Sequence, residues 1–148
     1  MPDTAKAPAF HTVSTPVEVS VYRIRCLLCS AFEGGSNYWI ESVENILAEG
    51  LKPEDFRKGG KFTTEDYWPS HMLVPFHEEC AVKINTSRML PRRTETSLLN
   101  IESMRKGLEL MAAWDVKHHW QAFLNEDDDA ETGDVFLQFC VFGEVIFG

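Results

Sequence analysis

"CLLCSAFEGGSNYWIESVENIL", residues 26–47, decides how the chain folds, because it joins two apolar runs through Gly34 and Gly35. A Cys-x-x-Cys stands at one end and Tyr38-Trp39 at the other. Ile24, Leu27, Leu28, Ala31 and Phe32 recur at helical spacing, and a glycine at 34 supplies the left-handed backbone that ends a helix. Ser36 or Asn37 then caps a second helix that buries Trp39, Ile40, Val43, Ile46 and Leu47 and stops at Gly50. On this reading the glycine doublet is a corner between two packed helices, and its aromatics and thiols are interior filling.

Upstream, residues 1–16 mix Ala, Pro, Thr, Ser and Lys without periodicity, as a flexible arm does. "VEVS" (17–20) alternates as one short strand, and Ser20 caps the first helix. Downstream, 51–70 reads mostly as loop, with a helical turn starting at Pro53 and a strand around 61–68. "HMLVPFHEE" (71–79) and "CAVKINTS" (80–87) read as two strands, with Pro75 pushing the first to a sheet edge. "RMLPRR" (88–93) is a linker and "TSLL" (96–99) a further strand. Asn100 caps a helix with Ile101, Met104, Leu108 and Met111 on one stripe, and Asp115 caps another through Trp120, Phe123 and Leu124. After the acidic turn "NEDDDAETGD" (125–134), Thr132 or Asp134 caps a last helix. That helix is apolar at every position from 135 to 142 except Gln138. Such a segment must be enclosed, as the central element of the fold or against a second copy in a homodimer. The fold class expected is α+β: residues 17–148 as one compact domain of about five helices with a small antiparallel sheet.

The chain of 148 residues can bury a core without metal or disulfide staples. Fourteen Lys and Arg against 23 Asp and Glu give a net charge of -9, which opposes direct nucleic-acid binding and favours solubility or a basic partner. No apolar run is long enough for a membrane span, and the first residues lack a secretory signal, so a cytoplasmic location with reduced cysteines is expected.

Cys26 and Cys29 with His77 and Cys80 form a candidate zinc set, since each pair chelates from one turn; the competing reading is buried free thiols. A redox role for the Cys-x-x-Cys needs an electropositive setting that a single flanking Arg25 does not supply. His118 and His119 point about 100° apart on a helix, so at most one faces inward, and both read as surface histidines near a helix end. From Asn125 the acidic turn resembles a calcium loop, but Ala130 replaces the turn glycine and Phe136 the bidentate Glu. Asp127, Asp128 and Asp129 are then a solvated face able to meet a basic partner. Glu33, Asn37, Tyr38 and Trp39 gather at one junction and form a candidate pocket. No phosphate loop, dinucleotide fingerprint or hydrolase motif occurs.

"AFEGGSNYW" (31–39), "GLELMA" (107–112) and "FLNEDDDAETGDVFLQFCVFGEVIFG" (123–148) together resemble a family of small uncharacterised proteins encoded by bacteriophages and prophages. The likeness runs over residues 17–148 with the middle unmatched, and it rests on "EGG-x-NYW" together with "DVFLQ…FGE…FG". No cofactor or catalytic residue is implied. The resemblance implies an accessory protein in the cytoplasm of a bacterial host that binds a host or phage protein, inhibition of a host or defence machine being one such role. The alternative is a small-ligand-binding protein or enzyme acting on a nucleotide-like metabolite through the pocket at the EGGSNYW junction.

Overall fold

A computed structural model describes residues 10, 11, 13, 15–86, 97–114 and 118–148. The expected linker at 88–93, most of the arm at 1–16 and the Asp115 cap lie outside the described residues. Helix α1 (Val21–Ser30) begins where its cap predicts, with Ser20 Oγ accepting the Arg23 N–H at 3.2 Å. Residues 17–20 run extended into it without pairing as a strand. The winding then widens over Ala31–Gly35 into one π-type turn, closed by the Ser36 N–H on the Ala31 carbonyl at 2.8 Å.

The next element corrects the expected second helix: the chain enters strand β1 (Ile40–Ile46). Ile40 and Val43 are three apart, a spacing that suits a helix. A bulge reconciles it with a strand, because Ile40 pairs with Thr86, Ser42 with Asn85 and Val43 with Ile84. One extra residue on β1 keeps Ile40 and Val43 on the same face. Beyond the bulge ordinary alternation resumes, and Ile46 turns outward at 43 % exposure. β-branched Ile40, Val43 and Ile46 also favour the pleated backbone. The corner is therefore helix to strand.

β2 (Ala81–Thr86) lies between β1 and β3 (Ser97–Leu99), both antiparallel to it. Two other expected strands are absent. Residues 61–68 are turn and loop, and 71–79 fold as 3₁₀ turns at Ser70–Met72 and Val74–Phe76. Pro69 precedes the first turn and Pro75 lies at the start of the second, where a fixed φ and a missing N–H suit a helical turn better than a ladder. Met72, Leu73 and Val74 are all buried, so this run carried no alternation to read.

Helix α2 (Ile101–Ala113) is capped by Asn100, which accepts the Ser103 N–H at 2.9 Å. α3 (His119–Leu124) follows, and α4 (Ala130–Phe142) closes the fold. Among the described residues, four α-helices, the π-type turn and a three-stranded sheet make the expected single α+β domain. α4 is its central element, packed on α1, α2, α3, β3 and the π-type turn. Val135, Phe136, Leu137, Phe139, Cys140 and Phe142 are all buried within one chain, so no second copy is needed to cover them. Gly133 sets the distance to α1: a Cβ there would meet the Leu27 carbonyl oxygen at 2.7 Å and the Ala31 nitrogen at 2.9 Å. Among the described residues no helix is long and apolar enough to cross a membrane.

α4 is capped by Asp129 rather than by Thr132 or Asp134; Asp129 Oδ1 accepts the Thr132 N–H at 3.0 Å and its hydroxyl at 3.2 Å. The bond from the Thr132 backbone leads the effects that hold the Asp129 carboxyl below its ordinary value. A group depressed on folding adds stability above its unfolded pKa and loses it as pH falls through the folded one. Asp129→Asn keeps a capping oxygen without the charge. It is expected to cost about 1 kcal/mol or less at neutral pH and to flatten the loss of stability below about pH 4. Urea unfolding across that range reads both effects, and an unchanged acid limb contradicts the assignment.

Candidate functional site at a buried carboxylate

On α4, whose residues 135–142 are apolar except Gln138, Asp134 and Gln138 are four residues apart and so share one face of the helix. That face meets two other segments, the corner at 36–39 and the tail at 144–148. Asp134 is 6 % exposed, and its carboxylate takes four donors. Oδ1 accepts from Ser36 Oγ and Trp39 Nε1, both at 2.7 Å. Oδ2 accepts from Tyr38 OH at 2.7 Å and Gln138 Nε2 at 3.1 Å. The π-type turn is what brings Ser36, Tyr38 and Trp39 onto α4. Among the described residues no Lys, Arg or His forms an ion pair with Asp134. Its hydrogen-bonding capacity is met while its charge is left without a counter-ion, which is unusual for a buried carboxylate.

Gln138, fully buried, carries the network to the tail. Its Oε1 accepts the Ile146 and Phe147 N–H groups at 2.8 Å each, and its Nε2 donates to the Phe147 carbonyl at 3.2 Å. The Phe147 ring stacks on Trp39 at 5.6 Å and meets Tyr38 edge-on at 6.5 Å. Beside this network opens a cleft of about 590 Å³, lined among others by Tyr38, Trp114, Glu131, Asp134, Val145 and Phe147. Trp114 is held from behind: it stacks on the His119 ring at 6.0 Å and stands edge-on to Phe139 at 5.4 Å. His119, 5 % exposed, is anchored in turn by its Nδ1 at 2.9 Å from Thr132 Oγ1. A larger groove of about 720 Å³ runs between α1 and α2, with mainly aliphatic walls such as Val17, Val19, Ile24 and Leu108.

The junction expected from sequence is present with a changed cast. Tyr38 lines the cleft at 41 % exposure, and buried Trp39 supports it by donating to Asp134. Glu33 and Asn37 are exposed and do not line it. The acidic turn is only partly a solvated face. Asp128 pairs with Arg23 at 2.8 Å, Asp129 caps α4, and Asp127 is exposed. Arg23 also donates to the Phe123 carbonyl at 2.6 Å, so Asp128 ties α1 to the α3–α4 turn. Of the two histidines His118 is exposed, whereas His119 is interior, against the expectation that both lie on the surface.

The candidate zinc set does not assemble: among the described residues no three His, Cys, Asp or Glu side chains are grouped to hold a metal. Cys80 Sγ accepts the Ala48 N–H at 3.4 Å, and the His77 ring packs on Phe62 at 4.2 Å. Burial, with Glu33 and Cys26 nearby, pushes the Cys29 thiol above its ordinary value, opposite to what a thiolate ligand or redox nucleophile requires.

Asp134, Gln138, Ser36, Trp114 and Phe147 are not among the site residues expected from sequence, which reads Ser36 and Asp134 as candidate helix caps. The usable signal was the i, i+4 polar pair Asp134 and Gln138 inside an apolar run, since two buried polar groups on one helix face demand partners elsewhere.

The chain matches no family model, and neither a curated protein nor a solved structure matches it.

Proposed function

We propose that this is a small acidic accessory protein of bacteriophage or prophage origin that works by binding a basic protein of its bacterial host or phage, with the cleft beside Tyr38 as the contact. The observation that carries this reading is the buried Asp134 carboxylate, without an ion-pair partner among the described residues, at the wall of an aromatic cleft in a chain of net charge -9. A cation entering the cleft gains attraction in a low-dielectric setting, and the acidic surface speeds its approach. Both stretches that resemble the phage family contribute to this network, "EGGSNYW" through Ser36, Tyr38 and Trp39 and the C-terminal one through Asp134, Gln138 and Phe147. The nucleotide-like ligand of the alternative reading is disfavoured here, because Glu131 and Asp134 line the cleft and, among the described residues, no Lys, Arg or His does. Phosphates would be repelled.

Immobilised protein exposed to a lysate of phage-infected bacteria is expected to retain a basic protein that elutes as salt is raised through about 0.1–0.5 M. Glu131→Lys, which reverses the charge at the rim, should lower retention several-fold; because Glu131 is also the first-turn acid of α4 and lies 3.8 Å from His119 Nε2, a melting curve establishes that the variant is folded. Retention of an acidic protein, or equal retention by the stable variant, would overturn the reading.

A further inference from the structure

We infer that the cleft takes an alkylated ammonium group, the head group of a trimethylated lysine or of a choline-like molecule; this rests on the proposed role of the cleft as a cation site. The inference follows from the acceptor arithmetic of Asp134. A carboxylate offers about four lone-pair sites. All four are taken, by Ser36 Oγ, Trp39 Nε1, Tyr38 OH and Gln138 Nε2. What Asp134 presents to the cleft is therefore charge without a vacant acceptor.

A primary ammonium or a guanidinium entering there gives up water from its N–H groups and finds no carboxylate lone pair on Asp134 to replace it. A quaternary ammonium has no N–H to satisfy and loses nothing by that arrangement. Its remaining needs are a nearby negative charge and aromatic or aliphatic surface for its methyl groups, as in cation–π recognition. The cleft supplies both, with Asp134 for charge at its wall and Tyr38, Trp114, Phe147 and Val145 for surface, while the half-exposed Glu131 stands at the rim 3.8 Å from His119 Nε2. Two of the rings are held in place before any ligand arrives, Trp114 by His119 and Phe139, and Phe147 by Trp39 and by the backbone bonds to Gln138. Such preorganisation lowers the entropy lost on binding. At about 590 Å³ the space is within the range of ordinary small-ligand sites.

The test titrates the full chain with tetramethylammonium chloride and, at matched ionic strength, with methylammonium and guanidinium chloride, following the tryptophan indole ¹H–¹⁵N signals. The expected result is saturable binding of tetramethylammonium, at least about tenfold tighter than either cation that carries N–H groups. Equal or reversed preference, or no binding, overturns the inference. Tyr38→Phe keeps the ring and opens one acceptor site on Oδ2, so it should shift selectivity toward methylammonium; an unchanged ratio also overturns it. Tyr38 is partly exposed, and a melting curve establishes that the variant is folded. Choline and a lysine peptide with and without trimethylation distinguish the sources. Tighter binding of the methylated peptide supports a protein ligand. Binding of choline but not of the peptide upholds the ammonium site and counts against the protein-binding role. Capture of a basic protein without tetramethylammonium preference leaves that role standing and removes this inference.

Discussion

Asp134→Ala is expected to lower the unfolding free energy by about 3–5 kcal/mol, a large share of the stability of a domain this size. The substitution strands the Ser36 hydroxyl, the Trp39 indole N–H and one Gln138 amide proton in the interior, while the partly exposed Tyr38 hydroxyl can turn to water. Each buried orphan costs about 1–3 kcal/mol. Asp134→Asn preserves volume but turns an NH₂ toward two donors, so roughly 2 kcal/mol is expected. Urea unfolding at constant m-value measures both, and Trp39 fluorescence should shift to the red in the alanine variant as its anchor is lost. A loss below about 1 kcal/mol for Asp134→Ala would mean that the four bonds do not act as one network.

Gly133→Val should be the most damaging packing change on α4. Its Cβ would fall within 3 Å of the Leu27 carbonyl, Ser30 Cβ and the Ala31 nitrogen, two of which are backbone atoms of α1 and its continuation and cannot swing aside. Overpacking typically costs about 1–3 kcal/mol when side chains can adjust, so about 3 kcal/mol or more is expected for a β-branched residue against backbone. Gly133→Ala is expected to lose about 1–2 kcal/mol, because the better helix propensity of alanine, about 1 kcal/mol, offsets part of the clash. Thermal unfolding followed by circular dichroism ranks the two variants. Stabilisation by Gly133→Ala would show that α1 and α4 can separate without cost.

Features set by neighbours in the chain were legible in the sequence. Ser20 and Asn100 cap the helices they were expected to cap, β2 shows its β-branched alternation, and the stripe of α2 holds through Met104 and Met111. Features set by distant partners were not. The bulge in β1 exists only in register with β2, and without it a spacing of three looks helical. Met72, Leu73 and Val74 are buried in succession because they plug the fold, which erases any period. Asp134 looked like a cap because Asp is common there; its actual partners, at 36, 38 and 39, come from the far end of the chain. The EGGSNYW junction was found and its chemistry was not, since the groups that matter on α4 and at Phe147 are brought there by the packing of the whole domain.

The anchoring of the tail by Gln138 bears on how the protein should be handled. Gly148 lines the cleft, and a Cβ on it would stand 3.0 Å from the Tyr38 hydroxyl oxygen. A purification tag or fluorescent fusion attached at Gly148 would therefore leave the domain at the mouth of the site and obstruct it.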